Sequence, residues 1–107
     1  MNLLFVCSRN KWRSPTAETI FKNSNEHAVR SAGTENSARI RINKQMIAWA
    51  DIIFVMEKKH KLKLTAKYAA LLDSKKIVIL DIEDNYQYMD PELVTMLKDA
   101  VMHYLKK

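Results

Sequence analysis

The chain has 107 residues, a formal net charge of +6 and 48% hydrophobic residues, so it can bury the core of one domain, residues 1–107, without a disulfide or a metal ion. Its single cysteine excludes an internal disulfide. The sequence contains neither a signal peptide pattern nor an apolar run of about 18 residues, which predicts a cytoplasmic protein that does not enter the membrane.

The order of the predicted elements is βαβαβαβα. Short aliphatic runs predict strands at residues 3–6, 28–32, 51–56 and 76–80. Helical patterns lie at residues 14–26 with Ser14 as N-cap and Pro15 as the first helical residue, at 42–50, at about 58–72, and from an Asp90–Pro91 start onward. Alternating strands and helices predict an α/β domain with a four-stranded parallel sheet and helices on both faces.

The only cysteine, Cys7, ends the first strand, and five residues separate it from Arg13. Ligands bind beyond the carboxyl ends of such strands, and the following helix offers unpaired N–H groups to an anion. Successive N–H groups of the loop can turn inward, and the guanidinium of Arg13 suits two phosphate oxygens. A thiol in this ring, with Ser14 as a further hydrogen-bond donor, is expected to ionise and act as a nucleophile in phosphoryl transfer. The alternative is an inert cysteine buried at the end of a strand.

The segment Cys7–Pro15, which reads CSRNKWRSP, resembles the active-site loop of the low-molecular-weight protein tyrosine phosphatases. Residues 30–34, 50–56 and 81–88 resemble further stretches of that family in the same order. The resemblance implies a flavodoxin-like fold and metal-free hydrolysis of phosphotyrosine or another aryl phosphate through a cysteinyl-phosphate intermediate, without a cofactor. Cys7 is then the nucleophile and Arg13 the phosphate ligand. The resemblance assigns phosphate binding or support to the rest of the loop: Ser8, Arg9, Asn10, Lys11, Trp12 and Ser14.

Four departures from the family pattern affect these expectations. Arg9 stands where the family usually has glycine, so Asn10 must supply any positive φ in the loop. Trp12 replaces a second cysteine that protects the first in many members. Asn36 replaces a histidine that supports the loop by a hydrogen bond. The chain is also short at residues 35–45, where the family builds part of its specificity wall, so substrate choice is not carried over.

The leaving oxygen needs a proton, and the candidate acids follow the last predicted strand. The family's acid is an aspartate before proline and an aromatic residue, and Asp90 is the only aspartate followed by proline. Asp90 is already expected to cap a helix, whereas Asp84 lies closer to the strand end and is followed by Tyr86. We therefore favour Asp84 over Asp90, with Asp81 and Glu83 as further candidates. The candidates for a wall against an aromatic leaving group are Trp12, Tyr86 and Tyr88.

Charge is unevenly distributed: residues 39–67 hold eight lysines and arginines against two acids, and residues 81–92 hold five acids and no base. This predicts an anionic partner, although the lysine-rich run that contains His60 also fits a solvated helix face, and His103 is likewise expected in solvent. No aromatic residue is interleaved with the cations of residues 58–67, so nucleic acid is not favoured.

Three functional classes remain. The first is a phosphatase that acts on a phosphorylated protein or a small aryl phosphate and also binds inorganic phosphate or sulfate. The second is a catalytically weak module that binds phosphoproteins or anions on the same fold, with a basic RNA-binding domain as a weaker variant. The third, an arsenate reductase, relays oxidation through additional cysteines and is disfavoured by the single one here.

Overall fold

Each predicted aliphatic run forms a strand of one parallel sheet in the computed structural model, which describes residues 1–105. The strands are β1 (Asn2–Cys7), β2 (Ala28–Gly33), β3 (Ile52–Val55) and β4 (Lys76–Ile79). They lie in the order β2-β1-β3-β4, which makes β1 and β3 the inner pair. The two inner strands are the most continuously apolar, as expected for strands covered on both faces. The last two residues of the predicted 1–107 domain lie outside the described residues.

Within residues 1–105, four helices cover the two faces of the sheet: α1 (Arg13–Phe21), α2 (Lys44–Trp49), α3 (Lys58–Leu72) and α4 (Pro91–Leu105). Alternate residues of β1 point to opposite faces, because side chains alternate along a strand. Phe5 and Cys7 face α1 and α4 in one buried cluster. Leu4 and Val6 face α2 and α3 in the other. The predicted α/β architecture with helices on both faces is confirmed.

The first helix begins differently from the prediction. We expected Ser14 as N-cap and Pro15 as the first helical residue, but α1 begins at Arg13 and no side chain caps it. The hydroxyl of Ser14 is instead directed at Cys7 and Asn10. Pro15 still removes no helical hydrogen bond, since the first four N–H groups of a helix have no partner inside it.

Gly33, the only glycine, ends β2 beside the loop that follows β1. A Cβ atom built on Gly33 would lie 2.6 Å from the carbonyl oxygen of Ser8 and 2.9 Å from the carbonyl carbon of Arg9. Real Cβ atoms do not approach backbone atoms so closely. The missing side chain therefore lets the loop after β1 lie directly against the end of β2.

The parallel sheet brings three segments to one edge, where the carboxyl ends of its strands meet. These are the loop of residues 8–12 after β1, Glu57 just after β3, and the acidic segment 80–90 after β4. Among residues 1–105, every helix is too short or too polar to cross a lipid bilayer.

Candidate active site

The loop of residues 8–12 is held from outside through its carbonyl groups. The carbonyl oxygens of Cys7 and Ser8 accept hydrogen bonds from the N–H groups of Thr34 (3.0 Å) and Glu35 (2.9 Å). The carbonyl oxygen of Arg9 accepts from the N–H of Arg39 at 3.0 Å. Arg39 Nε donates to the next carbonyl, that of Asn10, at 3.1 Å. Four consecutive carbonyls are thus directed toward the segment of residues 34–39.

This arrangement fixes where the loop's N–H groups point. In a trans peptide the C=O of one residue and the N–H of the next are antiparallel. The N–H groups of residues 8–11 therefore point away from the segment of residues 34–39, and that of Arg13 points out of the uncapped end of α1. Within the described part of the chain, none of these five groups donates a hydrogen bond. They form a set of unpaired donors at a helix N-terminus, which is an anion-binding arrangement.

Asn10 provides the bend that the loop needs. Its φ is 54°, in the left-handed region that asparagine tolerates, whereas Arg9 keeps a negative φ. The prediction that Asn10 supplies a positive φ in the loop is confirmed. Both amide hydrogens of Asn10 are used, on the hydroxyls of Ser14 (2.8 Å) and Ser31 (2.9 Å).

This network orients the hydroxyl beside the thiol. Ser14 Oγ accepts from Asn10, so its own proton is directed either to Cys7 Sγ at 2.9 Å or to the more distant carbonyl of Ala32 at 3.3 Å. Ser31 donates to a carboxylate oxygen of Glu18, which leaves it as acceptor toward Asn10. The hydrogen bond from Asn10 thus leaves the Ser14 hydroxyl able to donate to Cys7 Sγ.

Arg13 is the largest fully buried side chain of the described protein. Its Nη1 donates to a carboxylate oxygen of Glu57 (2.5 Å) and to the carbonyl oxygen of Ile82 (2.8 Å). The residue before Ile82, Asp81, has a φ of 59°. Nε lies 3.6 Å from a carboxylate oxygen of Asp84. The Nε and Nη2 edge, which can bind two oxygens at once, is left without a hydrogen bond inside residues 1–105.

Glu57, which sequence reasoning missed, anchors this guanidinium. Burial alone would raise its pKa, but the hydrogen bond and charge of Arg13, with Lys59 and His60, outweigh burial and hold the pKa below its usual range. The carboxylate therefore stays ionised and keeps Arg13 fixed. A signal was present in the sequence, since Glu57 directly follows a buried strand whose carboxyl end must lie beside that of β1.

His60 was predicted to be solvated, and that prediction was wrong: its side chain is fully buried, while His103 is exposed. Its Nδ1 accepts a hydrogen bond from the N–H of Glu57 at 3.0 Å, so the proton of the neutral ring is on Nε2. Nε2 lies 2.9 Å from Ser8 Oγ and donates to it. Lysines surround His60 in the sequence and mask the apolar side of α3, which explains the error.

His60 predicts a pH dependence of folding stability. Burial, followed by the charge of Arg13, lowers its pKa from 6.5 to about 4. The unfolded chain takes up this proton near pH 6.5, whereas the folded chain takes it up only near pH 4. The unfolding free energy of the wild type should therefore fall by about 3 kcal/mol as the pH is lowered from 6.5 to 4. His60→Gln cannot take up this proton, so its unfolding free energy should lack this pH dependence. The difference in unfolding free energy between the wild type and the variant should therefore become smaller as the pH is lowered. Urea unfolding at pH 7, 5.5 and 4.5 measures it, and parallel pH curves would contradict the assignment.

The candidate acids occupy different environments. Asp84 lies beside Arg13 with about half of its side chain exposed. Asp90 caps α4, since its Oδ1 accepts from the N–H of Glu92 and its carbonyl from the N–H of Val94, both at 2.9 Å. Glu83 accepts a hydrogen bond from Asn85 and is exposed. Of the aspartates, Asp84 is the one in contact with the loop's arginine.

The predicted aromatic wall is spread around the loop. Trp12 is 37% exposed, and its carbonyl accepts from both the N–H and the hydroxyl of Thr16. Tyr88 is half exposed and shares a hydrogen bond with Thr19. Tyr86 packs against the core cluster that contains Cys7, and partial burial together with nearby acids raises its pKa. All three remain candidates for the wall.

One predicted departure is visible in the loop. Asn36, in the histidine's place, is exposed and is not among the hydrogen-bond partners of Asn10 within residues 1–105. The Oδ1 atom of Asn10 is buried and has no hydrogen-bond partner among the described residues. The loop therefore keeps the two bonds donated by Asn10 but lacks one to its oxygen.

A cysteine at the end of a central parallel strand, followed by a loop of unpaired N–H groups and a buried arginine, is the arrangement of a cysteine-dependent phosphatase. The model of the low molecular weight phosphotyrosine protein phosphatases matches residues 2–101, and the chain belongs to that family. Among curated protein sequences, none is significantly similar to it.

Solved structures with the same fold include phosphatases of two specificities. The arginine phosphatase YwlE of Geobacillus stearothermophilus is 22% identical, with 98% of this chain and 92% of that one aligned and a TM-score of 0.72. A low molecular weight protein tyrosine phosphatase of Streptococcus pyogenes is 18% identical, with coverages of 98% and 91% and a TM-score of 0.79. The tyrosine phosphatase Wzb of Escherichia coli K30, solved with phosphate, is 18% identical, with coverages of 96% and 88% and a TM-score of 0.77. At these identities the likeness establishes the fold.

Proposed function

We propose that Cys7 attacks the phosphorus of an aryl phosphate monoester while Asp84 protonates the departing phenol oxygen. The P–O bond to the leaving group breaks as the S–P bond forms. The carboxylate of Asp84 then takes a proton from water, whose oxygen attacks the same phosphorus and releases inorganic phosphate and the thiolate. The residues in the loop hold the phosphoryl oxygens throughout.

The observation that carries this proposal is the set of unpaired N–H groups in the loop after Cys7, which point away from the segment of residues 34–39. Donors that are fixed before the substrate arrives stabilise the charge on the phosphoryl oxygens without further reorganisation. Arg13 adds the Nε and Nη2 edge, because Glu57 and Ile82 occupy its other nitrogen. The contact between Asp84 and Arg13 supports Asp84 as the acid, since it keeps that carboxyl beside the phosphate position.

The charges around the loop favour an aryl phosphate over phosphoarginine. Arg9, Lys11 and Arg39 have exposed side chains at or beside the loop. A phenol oxygen carries negative charge as it leaves and is attracted by these cations, whereas the guanidinium of phosphoarginine is repelled by them. The aromatic candidates Trp12 and Tyr88 offer flat surfaces for a phenyl ring.

A substrate panel tests this function. We expect para-nitrophenyl phosphate and phosphotyrosyl peptides to be hydrolysed with kcat/KM at least about tenfold above that of phosphoarginine peptides, because the cations at the mouth discriminate between the leaving groups. Release of inorganic phosphate is measured for each substrate at equal ionic strength. Faster release from phosphoarginine would overturn the substrate assignment.

The competing function is a phosphoprotein- or anion-binding module without turnover. Phosphate binding with no phosphate release from any substrate in the panel would favour that module. We further propose that the enzyme acts in the cytoplasm, where its one thiol stays reduced, on a phosphorylated protein or a small aryl phosphate.

A further inference from the structure

A groove with three cationic side chains lies beside the loop of residues 8–12. It has a volume of about 370 Å³ and combines residues from the loop, from one side of α1, from the segment 34–39 and from the segment 80–90. Its lining residues are Lys11, Pro15, Glu18, Thr19, Lys22, Arg39 and Tyr88.

The arginine of this groove is fixed in position. The N–H of Arg39 donates to the carbonyl of Arg9, and its Nε donates to the carbonyl of Asn10. Its two terminal nitrogens make no hydrogen bond or ion pair with any residue in the described range 1–105. An arginine that is already held through Nε loses little freedom when its terminal nitrogens bind a carboxylate.

The groove has an excess of positive charge that the described protein does not neutralise. Lys11, Lys22 and Arg39 form no ion pair within residues 1–105. The one acid in the lining, Glu18, accepts a hydrogen bond from the buried Ser31. The hydroxyls of Thr19 and Tyr88 lie 2.7 Å apart, and whichever accepts in that pair keeps its own proton for another acceptor.

We infer that this groove is a second anion subsite, which binds the carboxylate of an acidic residue near the phosphorylated residue of a peptide substrate. The inference rests on the proposed function, because it requires the phosphoryl group to lie in the loop. Pro15 lines the groove near the loop, and Lys22 lines it seven positions further along the chain, which is about 10 Å along a helix. An extended peptide covers that distance in about three residues. The acidic residue therefore lies within about three positions of the phosphorylated one.

Matched phosphotyrosyl peptides test the subsite. One series carries glutamate at a single position up to three residues before or after phosphotyrosine, and the other carries glutamine at the same position. We expect kcat/KM to be about five- to tenfold higher for the best glutamate peptide, a preference that weakens as salt is raised. Lys22→Gln should reduce the preference about threefold and leave hydrolysis of para-nitrophenyl phosphate unchanged.

Lys76→Gln is the matched control, since it removes the same charge at the amino-terminal end of β4, whereas the loop beside the groove follows the carboxyl end of β1. It should leave the preference as in the wild type. Equal kcat/KM for both peptide series, or equal losses in the two variants, would overturn the inference. Affinities for the same peptides with a non-hydrolysable phosphonate in place of the phosphate separate the two proposals. Tighter binding of the glutamate peptides with no hydrolysis of the phosphopeptides would support the subsite and refute the phosphatase. Hydrolysis with no preference for glutamate would support the phosphatase and refute the subsite.

Discussion

Cys7→Ser is expected to reduce hydrolysis of para-nitrophenyl phosphate by about 10⁴-fold or more. A serine hydroxyl is not ionised near neutral pH, so the variant lacks the nucleophile that forms the covalent intermediate. The surrounding ring of N–H groups belongs to the backbone and does not depend on the sulfur. Steady-state release of para-nitrophenol from both proteins measures the loss.

The control for this variant is its response to inorganic phosphate. Both proteins should be stabilised by about 2.7 kcal/mol at a hundredfold excess of phosphate over its dissociation constant, because only the folded loop binds it. A rise in Tm at matched ionic strength reports this. Retained turnover in Cys7→Ser would show that Cys7 is not the nucleophile. An unchanged Tm of the wild type in phosphate would show that the loop does not bind the anion.

Asp84→Asn should slow hydrolysis of phenyl phosphate by about 10²–10⁴-fold, since the phenol oxygen then departs without a proton. The loss should be smaller with para-nitrophenyl phosphate, because nitrophenolate leaves with little assistance. Comparing kcat for the two substrates isolates the acid from other roles of the carboxylate, such as its contact with Arg13.

Asp90→Asn is the matched control, because asparagine caps a helix about as well as aspartate. It should change neither rate nor stability appreciably. A leaving-group-dependent loss in Asp90→Asn but not in Asp84→Asn would reverse the assignment. Small and equal effects from both would direct the search to Glu83.

The sequence was sufficient to predict the fold because each strand is a short aliphatic run that no helix pattern fits. The third helix was predicted at residues 58–72 and lies there. The start of α1 was misplaced by two residues, because a serine before proline is a typical N-cap, whereas here its hydroxyl hydrogen-bonds with Cys7 instead. Such a competition is settled only by the tertiary structure.

The site was predictable only where one segment supplies it. Cys7, Arg13 and Ser14 are close in sequence, and their spacing alone indicates the loop. Glu57 and the carbonyl of Ile82 reach Arg13 from 44 and 69 residues away, and no local pattern marks a main-chain acceptor. His60 was misread for a related reason: a histidine buried by a partner 52 residues distant has the same sequence neighbours as an exposed one.

Gly33 limits how this protein can be redesigned. A methyl group there would strike the main chain of Ser8 and Arg9, which cannot swing aside as a flexible side chain can. Those two residues belong to the loop that carries the unpaired N–H groups. Any larger side chain at Gly33 would therefore displace the loop and weaken phosphate binding, although it would not touch the substrate. A library of variants made to change specificity can therefore vary the exposed residues of the loop, but it must retain glycine at position 33.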